Sequence, residues 1–329
     1  MSNFESGGSG SRHLIDPELL PLIEAFPPMQ LSAEALAAFR GMVVPQPEPS
    51  EAARNVDVSY RTLPGAAGDP PVRVALYRPP AANGSAVIHI HGGGYVGGSA
   101  EMTQARQLEL AAALQCMIVS VNYRLAPETP HPGPVEDCYA ALAWAARRAS
   151  QLGIDPARMA IKGESAGGGL AAALALLARD RGEFRPVLQH LTYPMLDDRT
   201  ATTRAAAAFA GEFLWTASHN LFGWTALLGC PPGGDDVSPY AAPARAENLA
   251  GVAPAYIMAG ALDLFADESM EYARRLIQAG VPTEMHVYPG AFHGFDLAPY
   301  AGVALAARAS GLAALTRALS PRRSSTEKS

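Results

Sequence analysis

The chain has 329 residues, enough for one large domain or a core with a smaller lobe, and 49% of them are hydrophobic, enough for a substantial core. A net charge of −6 with only 17% charged residues argues against nucleic-acid or anionic-membrane partners. The three widely spaced cysteines (Cys116, Cys138, Cys230) form no metal or disulfide pattern, the N-terminus lacks a leader-like apolar stretch, and no apolar run approaches the roughly 20 residues of a membrane span, so a reducing, cytoplasmic setting is expected.

Met1 to about Ser11 is Gly/Ser-rich and reads as unstructured. Asp16-Pro17, an N-cap followed by proline, opens a first amphipathic helix; a second starts near Ser32 and ends around Gly41. Pro45–Pro49 reads as a linker. Val56–Arg61 and Val72–Tyr77 alternate in polarity across a Gly/Pro-rich turn and predict a hairpin. Further strands are expected over Ala86–Ile90, Met117–Val121, Met159–Lys162, Val187–Tyr193, Ala255–Ala259 and Glu284–Tyr288. Helices are expected over Gln104–Leu114, Val135–Arg148, Gly168–Arg179, Asp267–Ala279 and Ala304–Leu319. This alternation predicts an α/β class fold, a mostly parallel sheet of eight strands covered by helices on both faces. Leu196 to Ala246 breaks the rhythm with aromatics (Phe209, Phe213, Trp215, Phe222, Trp224) and a turn-rich end, which predicts a small helical cap. The expected division is cap helices over 1–50, a core over 51–195 and 247–329, and a cap insertion over 196–246.

Two motifs point to chemistry. Gly163-Glu164-Ser165-Ala166-Gly167 fits a serine nucleophile on a tight strand-to-helix turn, and His91-Gly92-Gly93-Gly94 fits a bare backbone loop that binds an oxyanion. Each alone is weak, since a turn serine can simply cap a helix and a glycine run can simply be a surface turn. Together, in this order and each after a strand, they point to an acyl-transfer hydrolase. Ser165 sits at a helix mouth, where the dipole favours negative charge, and the Ala166 N–H is the natural first oxyanion donor, joined by Gly93 and Gly94. His91 is expected to pin its loop by hydrogen bonding, and Gly92 to support it. Because the base usually follows the serine and acid in this kind of enzyme, His190, His219, His286 and His293 remain candidates. His293, on a Gly-flanked loop after the last strand, is favoured. For the acid, Asp263 comes first, with Asp197 and Asp198 as rivals; Asp267 and Glu268 are explained by the helix dipole, and Asp296 is too close to His293 in sequence.

These motifs resemble the hormone-sensitive-lipase-like branch of the α/β-hydrolase esterases over nearly all the chain after about residue 50. His91–Gly94 matches its HGGG, Gly163–Gly167 its G-[DE]-S-A-G, Asp263–Asp267 its D-P-L-x-D and His293-Gly294-Phe295 its HGF. Asn122 to Glu128 (NYRLAPE) matches a further segment of that branch. The resemblance implies an α/β-hydrolase fold with a triad of Ser165, Asp263 and His293, and hydrolysis of short- to medium-chain acyl esters without metal or organic cofactor. Two departures stand out: Leu264 replaces the proline of the acid motif, and Glu164 replaces the commoner aspartate, where a structural, hydrogen-bonded role is expected. Tyr193, Phe209, Phe213 and Leu264 are the expected pocket residues, with a small-molecule ester as partner. Many members pair through the last strand and C-terminal helix, so a homodimer is a candidate assembly. An amidase, peptidase or acyltransferase on the same triad is the alternative; a receptor-like relative would lack the histidine that is present here.

Overall fold

In the computed structural model, which describes residues 10–26, 30–42, 48–66 and 68–321, eight strands form one sheet. They are β1 (Asp57–Leu63), β2 (Val72–Arg78), β3 (Ala86–Ile90), β4 (Met117–Asn122), β5 (Met159–Glu164), β6 (Gln189–Thr192), β7 (Ala255–Gly260) and β8 (Thr283–Tyr288), in the spatial order β1-β2-β4-β3-β5-β6-β7-β8. β1 and β2 pair antiparallel, as does β2 with β4; every other pair is parallel. The helices are α1 (Leu20–Ala25), α2 (Leu36–Arg40), α3 (Glu51–Arg54), α4 (Gln104–Leu114), α5 (Gly133–Arg147), α6 (Ala149–Leu152), α7 (Ala166–Arg181), α8 (Ala217–Leu228), α9 (Ala266–Gln278) and α10 (Gly302–Leu319). No helix among the described residues is long and apolar enough to cross a membrane.

Strand alternation sends each residue to one of two cores. Ile88, Ile90, Val119, Val121, Ile161 and Ile257 face the side covered by α5, α7 and α9. The opposite side, under α4 and α10, receives Val87, Ile118, Ala160 and Met258, but also a polar row in register across five strands: Ser120, His89, Lys162, His190 and Tyr256. Burial lowers His89 well below its ordinary range and His190 to about 3, so both are neutral.

The expected elements appear, with ends moved by a few residues. β6 is shorter than Val187–Tyr193, because Val187 joins the sheet only through its N–H to the Met159 carbonyl. The first helix is split into a 3-10 turn over Pro17–Leu19 and α1, opened by the Asp16 side chain accepting from Glu18 N–H. The unstructured start was expected to reach about Ser11, yet Ser11 is buried: its N–H and hydroxyl both donate to the Glu212 carboxylate, at 2.5 and 2.6 Å. Residues 1–9 of that stretch, and residues 45–47 of the proline linker, lie outside the described residues.

The N-terminal helices lie against the segment behind the glycine loop. A Cβ on Gly97 would stand 2.6 Å from the Phe39 ring of α2. Arg40 donates to the Val96 and Ala126 carbonyls and grips Glu128 with two 2.7 Å bonds. The rest of Asn122–Glu128 works the same way: the Asn122 side chain accepts from Ala100 N–H, the Tyr123 hydroxyl donates to the His91 carbonyl, and Arg124 pairs with Asp137. That segment is a brace for the glycine loop, built from bonds to backbone at Asn122 and Tyr123 and from ion pairs at Arg124 and Glu128.

Candidate active site

β5 runs straight into α7, and Ser165 is the single residue between them, with φ +56° and ψ −122°. Such a conformation is strained for a residue with a Cβ and persists only where its neighbours over-determine it. Here the Ser165 N–H donates to the Thr192 carbonyl at 2.9 Å, and its own carbonyl accepts from Gly169 and Met195. The flanking glycines permit the turn by absence: a Cβ on Gly163 would fall 2.0 Å from the Gly167 carbonyl oxygen, and one on Gly167 would fall 2.1 Å from that of Ile90.

The side chains of three loops meet above this turn. His293 Nε2 lies 2.9 Å from Ser165 Oγ, and His293 Nδ1 lies 2.9 and 3.1 Å from the two oxygens of Asp263. A carboxylate only accepts, so Nδ1 carries the proton and Nε2 is free to accept the serine proton. Asp263 is fully buried and also accepts from Phe265 N–H at 3.0 Å, which fixes its plane. Phe265 stands edge-on to the imidazole at 5.3 Å, and the Tyr193 ring packs on it at 4.6 Å. The arrangement can deprotonate a hydroxyl and hold the resulting imidazolium.

The glycine loop lies beside the serine, where a Cβ on Gly92 would be 3.3 Å from Ser165 Cβ. Gly93 and Gly94 have φ +127° and +61°, and no described residue accepts from their N–H groups. Ala166 N–H, at the first turn of α7, has no acceptor within its own helix. His91 is buried, stacks on Tyr123 at 4.3 Å and holds the Gly92 carbonyl through Nδ1 at 2.8 Å; burial lowers it to about 4, so it remains a neutral donor that pins the loop. Glu164 points to the other face of the sheet, pairing with Lys162 and, at 2.9 Å, with His89 Nε2.

The rival acids are engaged elsewhere. Asp197 pairs with Arg199 and Arg204, and Asp198 with Arg245. Glu268 does more than meet a helix dipole: fully buried, it accepts from Leu196 N–H at 2.6 Å and from the Thr200 hydroxyl, tying the start of the insertion to α9. Burial raises its carboxyl well above the ordinary range. Among the other histidines, His190 is buried in the polar row and His286 pairs with Glu284, away from the serine. His219, on α8, lies with its ring 5.5 Å from that of Trp215.

Of the expected pocket residues, Phe213 packs on Phe292, next to His293, at 5.8 Å. Phe209 is 47% exposed and touches His13 edge-on, on the outside of the insertion. Tyr193 lies behind the imidazole, its hydroxyl donated to Asp296 at 2.5 Å. Leu264 is buried under Gly211 and helps line a cavity of about 880 Å³, with Tyr272, Arg199 and Arg245, that neither Ser165 nor His293 reaches. Trp215, an aromatic with no site role assigned from sequence, covers the serine side. A Cβ on Gly94 would stand 2.1 Å from its indole, and its ring lies 6.1 Å from that of His293. It is presented by a tight turn in which Trp215 N–H donates to the Phe213 carbonyl at 2.7 Å across Leu214, whose φ is +59°. The one local signal is Thr216, whose side chain caps α8 and fixes where the preceding residue must stand.

Known proteins share this fold. A family model described as alpha/beta hydrolase fold matches residues 87–297. The chain is 36% identical over 303 residues to the esterase LipI of Mycobacterium tuberculosis, covering 89% of this chain and 91% of that protein. It is 34% identical over 317 residues to the carboxylesterase NlhH of the same organism, covering 93% and 96%. A solved bacterial heroin esterase superposes with a TM-score of 0.85 at 38% identity, over 94% of this chain and all of that one.

Proposed function

Since the chain belongs to the alpha/beta-hydrolase fold family, we propose that it is a carboxylesterase for short- to medium-chain acyl esters, with Ser165, His293 and Asp263 as its triad. The observation that carries this reading is the unbroken relay from Ser165 Oγ through His293 to the buried Asp263, beside the Gly93 and Gly94 N–H groups from which no described residue accepts. Ser165 attacks the ester carbonyl as His293 Nε2 takes its proton, and the carbonyl oxygen becomes an oxyanion held by Gly93, Gly94 and Ala166 N–H. His293 returns that proton to the leaving alcohol, then takes one from the water that attacks the acyl-enzyme. As this second intermediate collapses the bond to Ser165 Oγ breaks, His293 gives the proton to Oγ, and the acid leaves. Asp263 keeps Nδ1 protonated and stabilises the imidazolium at each step. These steps use side chains and backbone alone.

The insertion and the N-terminal helices form the proposed cap, with Trp215, which lies against Gly94, as one wall of the acyl site. Free Cys116, Cys138 and Cys230 support a reducing, cytoplasmic setting. β8 is an edge strand with Val287 40% exposed, which supports pairing of two copies across that edge. Purified Ser165→Ala protein should lose p-nitrophenyl butyrate turnover by at least about 10⁴-fold. Turnover that survives the substitution overturns the mechanism.

A further inference from the structure

His293 is held at both ring nitrogens, by Asp263 and Ser165, but two bonds on opposite sides leave a ring free to rock about the line joining them. Packing against the ring faces must limit that motion. Of the aromatic neighbours, Tyr193 has the closest centroid, at 4.6 Å, and the structure fixes it at both ends. Its backbone, at the end of β6, has φ +34°, and its N–H donates to the Met258 carbonyl at 2.6 Å. Its hydroxyl donates to Asp296 Oδ1 at 2.5 Å.

Asp296 is three residues beyond His293, in the 3-10 turn Phe295–Leu297, and is 6% exposed. Its second oxygen accepts from Arg106 Nη1 of α4 at 3.1 Å. Its backbone carbonyl accepts from Arg106 Nη2 and from Arg308 Nη1 of α10, at 3.1 and 2.6 Å. One residue therefore ties the histidine loop to two helices and also grips the far end of the ring that packs on the imidazole. Burial alone would raise the Asp296 carboxyl, but Arg106, the Tyr193 hydroxyl and Lys162 hold it below its ordinary value, so the anchor is charged. Its carboxylate is fully engaged away from His293, which is why it does not compete with Asp263.

We propose that Asp296, held by Arg106 and gripping the Tyr193 hydroxyl, is a positioning residue that fixes the imidazole of His293 over Ser165. The inference rests on the esterase reading for its assay, but its labelling arm does not depend on ester turnover. Misplacement of a catalytic group by a fraction of an ångström to 1 Å is costly. Tyr193→Phe, which keeps the ring and every charge, and Asp296→Asn should each lower kcat for p-nitrophenyl butyrate about tenfold with KM within about twofold. The double variant should lose no more than the worse single one, because both break the same link. Arg106→Lys should retain most of the rate by keeping the charge. Ser165 labelling by a fluorophosphonate, read by mass, should slow by the same factors, because it needs the same base.

Unchanged kcat and labelling in Tyr193→Phe overturn the proposal, and that variant decides alone where Asp296→Asn does not fold. Additive losses in the double variant, with KM rising as kcat falls, overturn it as well, for that is the signature of general loosening. A wild-type chain that labels at Ser165 but hydrolyses no ester overturns the esterase reading instead, and the labelling rates still test the anchor.

Discussion

The loops at the C-terminal edge of the sheet and the segment between β6 and β7 are both irregular backbone, yet they hold side chains in different ways. Each edge loop is bonded back to strands or neighbouring loops within a few residues of its functional group: Ser165 N–H to Thr192, Ala261 N–H to Tyr288, Leu262 N–H to Ala291. The segment over 193–254 has one α-helix, α8, and is bonded to the core at a few backbone points (Tyr193 N–H to Met258, Met195 N–H to Ser165, Gly211 N–H to Leu262). Its own long loops are tied together by side chains: Asp197 to Arg199 and Arg204, Asp198 to Arg245, with Glu268 gripping Leu196 and Thr200. Backbone bonds into a sheet are short-range and fix position tightly, whereas ion pairs on long side chains tolerate displacement. In the proposed function, the edge loops carry the reaction chemistry and the covering segment the substrate choice.

The largest effect should come from breaking the edge. Asp263→Asn preserves shape but presents the wrong hydrogen-bonding partner to Nδ1, and kcat should fall about 10⁴-fold with little change in melting temperature. A loss under about tenfold would mean that another carboxylate serves the imidazole. On the covering side, Trp215→Ala should leave Ser165 reactive toward small fluorophosphonates while altering selectivity. Wild-type enzyme should peak at acyl chains of about four to eight carbons, and the variant should shift toward longer chains by two or more carbons, with about a tenfold gain for the longest. An unchanged chain-length profile would remove the insertion from substrate choice. The smallest effect concerns the frame beneath both regions. His89, His91 and His190 are buried and neutral, with His91 lowered to about 4 and His190 to about 3. Their ordinary value is 6.5, so below that pH the unfolded chain binds more protons than the folded one. Their contribution to stability is therefore complete above pH 6.5 and is lost as pH falls toward 4 and below. Thermal melts from pH 7 to 4 should show this decline, and His190→Leu should reduce its slope by up to about one proton. A pH-independent melting temperature over that range would contradict the buried neutral state.

Most of the edge was legible from local sequence. The strand, tight turn and helix around Ser165 need glycines at 163 and 167 because backbone atoms approach within van der Waals distance there, and that demand is written in adjacent residues. The same holds for the glycine loop after β3 and for His293 after β8. Less legible were the partners of charges. Glu268 reads as a first-turn acid but is a buried clasp, and Asp296 reads as merely too near His293 but holds the hydroxyl of Tyr193, whose ring packs on the imidazole. In the insertion, Phe209 and Phe213 drew attention while Trp215 lies over the glycine loop, since no periodicity orders that stretch and a residue at positive φ, Leu214, sets the direction.

From the chain alone, then, came the alternating fold, the serine, the glycine loop, the histidine and a short set of acids, because each is tied to a strand end or a turn whose chemistry spans only a few residues. Only the tertiary structure chose Asp263 as the carboxylate on His293 Nδ1, turned Tyr193 from the pocket to the back of the imidazole and laid Trp215 across Gly94. Those outcomes depend on bonds between residues far apart in sequence, where burial makes an unpartnered charge costly and the packing of the whole sheet decides which partner is within reach.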